Sequence, residues 1–143
     1  MTGCVFCDVI SGAAPAHRVW EDDATVAFLD RRPVFHGHVL LVPRLHVETL
    51  PELPQDHLTP LFGVAQRIST AVVEALGAQG SFVAMNNVVS QSVPHLHVHV
   101  VPRTKGDGLR GFFWPRTAYA NDAEAAEVAR RISRALGSNS TGG

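Results

Sequence analysis

The chain has 143 residues, 45% apolar and 17% charged, with a formal net charge of -1. That balance fits one globular domain with a single core and excludes a disordered chain. It also argues against a nucleic-acid polymer as partner, because such binders carry a marked basic excess, whereas a small anionic ligand needs only a few local donors. No basic-then-apolar leader opens the sequence and no apolar run approaches ~18 residues, so a cytoplasmic location away from membranes is expected. The only cysteines, Cys4 and Cys7, form one C-x-x-C. In a reducing compartment this reads as a metal half-site or a redox motif rather than a disulfide framework.

In chain order, "RVWED" (18–22) and "ATVAFLD" (24–30) read as two strands around an Asp22–Asp23 corner, and the evenly apolar "HVLLVP" (38–43) as a third, buried on both faces. Leu61, Ala65, Ile68, Val72 and Leu76 recur at three- and four-residue steps before Gly77. This predicts an amphipathic helix over 60–76, with Thr59 and Pro60 as N-cap and first residue and Pro54 as a possible earlier turn. "SFVAMNN" (81–87) and "HLHVHVV" (95–101) predict two more strands joined by a short polar loop. A second helix begins at Asn121 or Asp122, its Val128, Ile132 and Leu136 forming a stripe that can dock on a sheet. A single domain over 1–137 then ends in a frayed tail, 138–143. Together these elements predict an α+β fold, a five-stranded antiparallel sheet with two main helices.

The stretch "PHLHVHVVPR" (94–103) carries three histidines in five positions. A strand period puts His95, His97 and His99 on one face and Leu96, Val98 and Val100 on the other. Successive residues on one face stand roughly 6.6 Å apart, so His95 and His99 are about 13 Å from each other. Nitrogens bound to one zinc lie within about 4.2 Å. Three histidines of one regular strand therefore do not readily share an ion. A catalytic reading fits better. An imidazole with one nitrogen fixed as donor leaves the other as a bare lone pair, a nucleophile near neutral pH. Flanking imidazoles and backbone N–H groups then stabilise charge at phosphorus, which makes the middle residue, His97, the candidate nucleophile.

"HLHVHVV" resembles the His-φ-His-φ-His-φ-φ signature of the histidine triad (HIT) family of nucleotide hydrolases and transferases, and the resemblance runs from "CVFCDVISG" and "WEDD" through "GHVLLVPRLH" to the triad. It is nearest to the nucleoside-phosphoramidase-like (HINT-like) branch. The resemblance implies that His97 attacks the α-phosphate of a nucleotide, forming a nucleotidyl-histidine intermediate that water hydrolyses. It also implies a ring held by a backbone carbonyl on the same strand, around His99, and a phosphate contact from the His99 side chain. Gln91 and Ser92 of "SQSVP" inherit roles around phosphate and leaving group, with Ser92 passing a proton to a departing amine. Pro94 holds Val93 extended as the loop enters the strand. The resemblance further implies that Asp30 accepts the ribose hydroxyls, that Asn87 lies near the ribose-phosphate, and that Phe6, Val9 and Phe28 wall the purine, with Val93 in the same nucleotide-binding set. His38 is a supporting histidine. Trp114 of "GFFWPR" is expected to reach substrate across a homodimer whose sheets join. One departure stands out. The loop between Asn87 and Gln91 is only "VVS", shorter and poorer in glycine than is usual in the family, which puts polyphosphate substrates in doubt.

For the cysteine pair, the resemblance implies a structural Zn2+ completed by His46 and His95, so that His95 faces metal while His97 faces substrate. A redox C-x-x-C would need a thioredoxin-like βαβ context, which is absent. The expected partner is a purine nucleotide, an AMP derivative. The competing readings are a nucleotide-binding sensor or adaptor with little turnover, and a zinc hydrolase with its metal at the triad.

Overall fold

The computed structural model describes residues 3–110 and 116–140; Trp114 lies outside them. The chain divides into two compact units, Met1–Asp107 and Gly108–Gly143. The division falls in a turn where Gly106 and Gly108 adopt positive φ.

The first unit holds α1 (Val5–Ser11), β1 (Arg18–Glu21), β2 (Thr25–Leu29), β3 (Val39–Pro43), α2 (Leu58–Leu76), β4 (Gly80–Ala84) and β5 (Val98–Arg103). The strands form one sheet in the order β1-β2-β3-β5-β4, every neighbouring pair antiparallel. The α+β architecture on a five-stranded antiparallel sheet is thus as expected. All of β3 is buried, because both faces of the sheet are covered. Ala27, Val39, Leu41, Leu96, Val98 and Val100 pack against the Leu61, Val64, Ala65, Ile68 and Val72 stripe of α2. Val26, Phe28, Leu40 and Val42, one residue out of phase, pack with Cys4, Phe6 and Val9 on the other face. Each large side chain so buried contributes at most about 1.5–3 kcal/mol.

Four local features differ from the sequence pattern. First, α2 starts at Leu58, not at residue 60, because a 3-10 turn over Gln55–His57 runs directly into it from Pro54. Pro60 then sits in the first turn, where its missing N–H has no intrahelical acceptor. Second, α1 has no long periodic run to reveal it. Cys4 caps it by accepting the Cys7 N–H, and Gly12 in the left-handed region ends it. Third, β5 begins at Val98, not His95. The His95 N–H goes to Val93 O at 2.8 Å and the Leu96 N–H to Val47 O at 2.7 Å. These donors serve loop carbonyls, so the segment joins the ladder only at the Leu41–Val98 pair. Fourth, β4 stops at Ala84, short of the Asn87 expected.

In the second unit, α3 (Asp122–Ser140) starts where expected and continues through residues predicted to fray. The Asn121 side chain accepts the Glu124 N–H at 2.9 Å. Ile132 and Leu136 are exposed and Val128 is half-buried. Alanine-rich sequence and acidic first-turn residues favour this helix without burial.

Candidate functional site

The turn before β5 separates the three histidines. His95 faces Cys4, Cys7 and His46, whose donor atoms and its own lie within 4.8 Å of one another. The cysteines come from the N-terminus of α1, His46 from the segment after β3. His95 Nδ1 stands 3.5 Å from Cys4 Sγ, 3.6 Å from Cys7 Sγ and 3.1 Å from His46 Nδ1, and Cys7 Sγ stands 3.3 Å from His46 Nδ1. Around a tetrahedral ion with bonds of ~2.1 Å to nitrogen and ~2.3 Å to sulfur, neighbouring donors are roughly 3.4–3.8 Å apart. The donor set therefore fits such an ion with only small adjustments. The tautomer fits as well. His95 Nε2–H donates to Pro43 O at 2.9 Å, which leaves Nδ1 as the lone pair facing the sulfurs. Burial pushes His95 down, keeping it neutral. Burial and the neighbouring Cys4 push the Cys7 thiol up, a penalty on its thiolate that a bound cation would offset.

His97 takes no part in that cluster. Its Nδ1–H donates to the His95 carbonyl at 2.8 Å, so Nε2 carries the lone pair. The orienting carbonyl is thus two residues before the ring, not around His99. The ring is 4% exposed and lies edge-to-face on Phe6, centroids 5.0 Å apart, with His99 also at 5.0 Å. Phe6 in turn meets Phe28 at 5.4 Å. Phe6, Val9 and Phe28 are all buried, and Val93 packs on the same cluster.

A second histidine chain sets the tautomer of His99. The Val34 N–H donates to His38 Nδ1 at 3.0 Å, so neutral His38 carries its proton on Nε2 and donates to His99 Nδ1 at 2.9 Å. His99 is left with Nε2–H as a donor. Burial holds His38 below its usual range, and burial with the His97 and His38 charges pushes His99 down to about 4. Asp30, His38 and His99 also group closely enough to hold a cation. The Val34 N–H, however, takes the Nδ1 lone pair of His38 and puts the proton on Nε2, the atom that would have to ligate. The group is a relay of hydrogen bonds from the Val34 N–H through His38 to His99, in which His38 Nε2 is engaged as a donor. His38, read from sequence only as supporting, is its centre. Its alternation with Leu40 and Val42 was the signal that it faces the α1 side of the sheet.

The polar loop is largely occupied with itself. Gln91 Oε1 accepts the Val88 N–H at 2.9 Å and Nε2 donates to Glu48 O at 2.6 Å. Asn87 Oδ1 accepts the Leu50 N–H at 2.7 Å. Both side chains, expected around phosphate, thus brace the loop against residues 48–50, which leaves one N–H of Gln91 and the NH2 group of Asn87 for a ligand. Ser92 is exposed beside them. Asp30 Oδ1 accepts the Arg32 N–H at 2.9 Å, while Oδ2 lies 3.7 Å from His38 Nε2. A separate cavity of about 180 Å³, lined by residues such as Phe35, Leu76 and Pro102, holds none of the predicted site residues.

A family model described as the HIT domain matches residues 11–106. The chain belongs to the HIT domain family. It is 34% identical over 140 residues, 93% of this chain and 69% of the relative, to the adenylylsulfatase HINT3 of Arabidopsis thaliana, in keeping with the HINT-like branch. The crystal structure of a HIT family member from Bacillus subtilis superposes with a TM-score of 0.84 at 29% identity, covering 92% of this chain and 96% of the other. A zinc-bound histidine triad family protein from Mycobacterium smegmatis matches with a TM-score of 0.72 at 36% identity, covering 92% of this chain and 97% of the other. Among the described residues, no helix is long and apolar enough to cross a membrane.

Proposed function

We propose that this HIT protein hydrolyses or transfers the nucleoside monophosphate of an AMP derivative through a nucleotidyl intermediate on His97. The observation that carries the reading is the pairing of a lone pair on His97 Nε2 with a donor on His99 Nε2–H, each set by its own backbone-anchored hydrogen bond. His97 Nε2 forms a bond to the α-phosphorus as the bond to the leaving group breaks. The leaving group departs with that electron pair, and the Ser92 hydroxyl hands a proton to it when it is an amine. The His99 donor stabilises the non-bridging oxygen of the pentavalent transition state. Water then attacks the phosphorus as the bond to Nε2 breaks, which releases AMP, returns the electron pair to Nε2 and gives the water's proton back to Ser92 where Ser92 had supplied one. Asp30 binds the ribose hydroxyls, Phe6, Val9, Phe28 and Val93 contact the base and sugar, and the remaining amide N–H groups of Asn87 and Gln91 contact phosphate. The name of the Arabidopsis relative supports a sulfated adenylate as the substrate class, and that of a Candida albicans relative, an adenosine 5'-monophosphoramidase 30% identical over 121 residues, supports an amidated one.

Cys4, Cys7, His46 and His95 hold zinc as a structural cofactor. Four protein donors leave no open position for substrate, so the ion supplies cross-linking rather than Lewis-acid chemistry. The zinc-bound relative supports this. We also propose a homodimer in which β4, at the sheet edge with Val83 exposed, pairs with its counterpart to remove an open edge. The protein acts in the cytoplasm.

The test is a kcat/KM panel over adenosine phosphoramidate, adenylyl sulfate and diadenosine polyphosphate, with His97→Asn as the blank. The first two should be cleaved, and the blank should lose on the order of 10⁴ in rate or more. Binding of AMP with no turnover of any of the three would favour the sensor reading instead.

A further inference from the structure

We propose that the four-donor cluster sets the orientation of the catalytic ring, with His95 and His46 as positioning residues for His97. The proposal rests on His97 being the nucleophile, but its geometric content can be read without turnover.

His95 is held at four points. Its N–H goes to Val93 O at 2.8 Å, its Nε2–H to Pro43 O at 2.9 Å, its carbonyl takes the His97 Nδ1–H at 2.8 Å, and its Nδ1 faces the other cluster donors. Only the last depends on a cation. One residue thus ligates with its side chain and orients the nucleophile with its carbonyl. Two further links run in parallel. Phe6 lies between the cysteines in sequence, and its ring meets His95 at 6.1 Å and His97 at 5.0 Å. A shift of α1 therefore moves a wall of the nucleophile. His46 opens a segment whose Val47 carbonyl takes the Leu96 N–H at 2.7 Å and whose Glu48 carbonyl takes the Gln91 amide at 2.6 Å. That segment braces the loop on both sides of Ser92.

Without a cation, the cluster keeps only N–H···N and weak thiol contacts, since His95 Nδ1 has no proton of its own to donate. Releasing the His95 ring then lets its carbonyl drift, and a misplacement of about 1 Å in a reacting group costs on the order of 10²-fold in rate. Binding of AMP, which does not need the His97 lone pair aligned for attack, should change much less.

The experiment strips the full chain with a chelator at a temperature where far-UV circular dichroism is unchanged, then reloads it with zinc alone. The His97 Nδ1–H resonance and ring tautomer are followed by ¹⁵N NMR, beside kcat and the Kd for AMP. His46→Ala and His46→Cys, which offers a Cys₃His set, are measured alongside. The proposal expects stripped protein and His46→Ala to lose or broaden the His97 Nδ1–H signal and to fall about 10–100-fold in kcat, with Kd for AMP moving less than about threefold. Reloading and His46→Cys should restore the signal. Metal-free protein that keeps that signal, or loses it only as circular dichroism reports unfolding, overturns the proposal. If no adenylate substrate is turned over at all, the function reading fails while the NMR signal still decides this one.

Discussion

Replacing His38 tests whether the relay matters to chemistry. His38→Leu keeps apolar bulk but removes the acceptor for the Val34 N–H and the donor to His99 Nδ1. Val34 is half exposed, so water can take over its N–H at little cost. The loss that counts is the bond to half-buried His99, worth about 0.5–1.5 kcal/mol net. That is a shift of up to about tenfold in the ratio of His99 tautomers. The variant should lose about 0.5–1.5 kcal/mol of stability and about three- to tenfold in kcat, with KM little changed, because the misplaced proton weakens phosphate contact mostly in the transition state. His38→Gln, whose amide can still donate from the same side, should recover part of the loss. The checks are denaturant unfolding, steady-state kinetics and ¹⁵N NMR of the His99 ring. Unchanged kcat in His38→Leu, with His99 still protonated at Nε2, would refute the relay.

Three other outcomes follow from single features. His99 has its folded pKa pushed down to about 4 from an unfolded value near ~6.5, so the unfolded state binds more protons between those values. Stability should be fully present above about pH 6.5 and fall by at most about 2 kcal/mol towards pH 4, after allowance for partial exposure. Unfolding titrations should show a steeper slope in wild type than in His99→Gln, which keeps only the smaller contributions of buried His38 and His95. Gly37 has φ of 94° and leads directly into His38, and an added Cβ would overlap Leu76 Cδ1. Gly37→Ala should cost about 1–2 kcal/mol, mostly from the backbone because the Leu76 tip can move, and thermal unfolding would read it. Gln91→Ala removes the brace to Val88 N–H and Glu48 O. It should raise hydrogen exchange of residues 86–92 and lower kcat several-fold, while the unfolding midpoint moves little because the loop is exposed.

Periodicity in the sequence located β2, β3 and α2, because each has enough residues for alternation or a three-four spacing to stand out. It did not reveal α1, whose Phe6 and Val9 read equally well as isolated apolar positions. The triad pattern singled out the three histidines but placed them on one regular strand, whereas β5 begins only at Val98. The tight turn at Val93–His95 and the Leu96–Val47 bond are tertiary facts with no local signature, yet they are what turns His95 towards the cysteines. Likewise, no spacing rule shows that the Val34 amide fixes His99 through His38, which lies 61 residues before it. The bracing role of Gln91 was hidden for a similar reason. A polar side chain before a catalytic segment offers the same donors to phosphate or to its own loop, and only the folded loop shows which bonds are made.

The most direct measurement is to mix the protein with adenosine phosphoramidate labelled at the α-phosphorus, quench within milliseconds, and map the label after proteolysis. The account predicts one acid-labile, base-stable adenylyl group on the peptide carrying His97, absent in His97→Asn. Rapid AMP release with no trapped label, or label on any other residue, would contradict it.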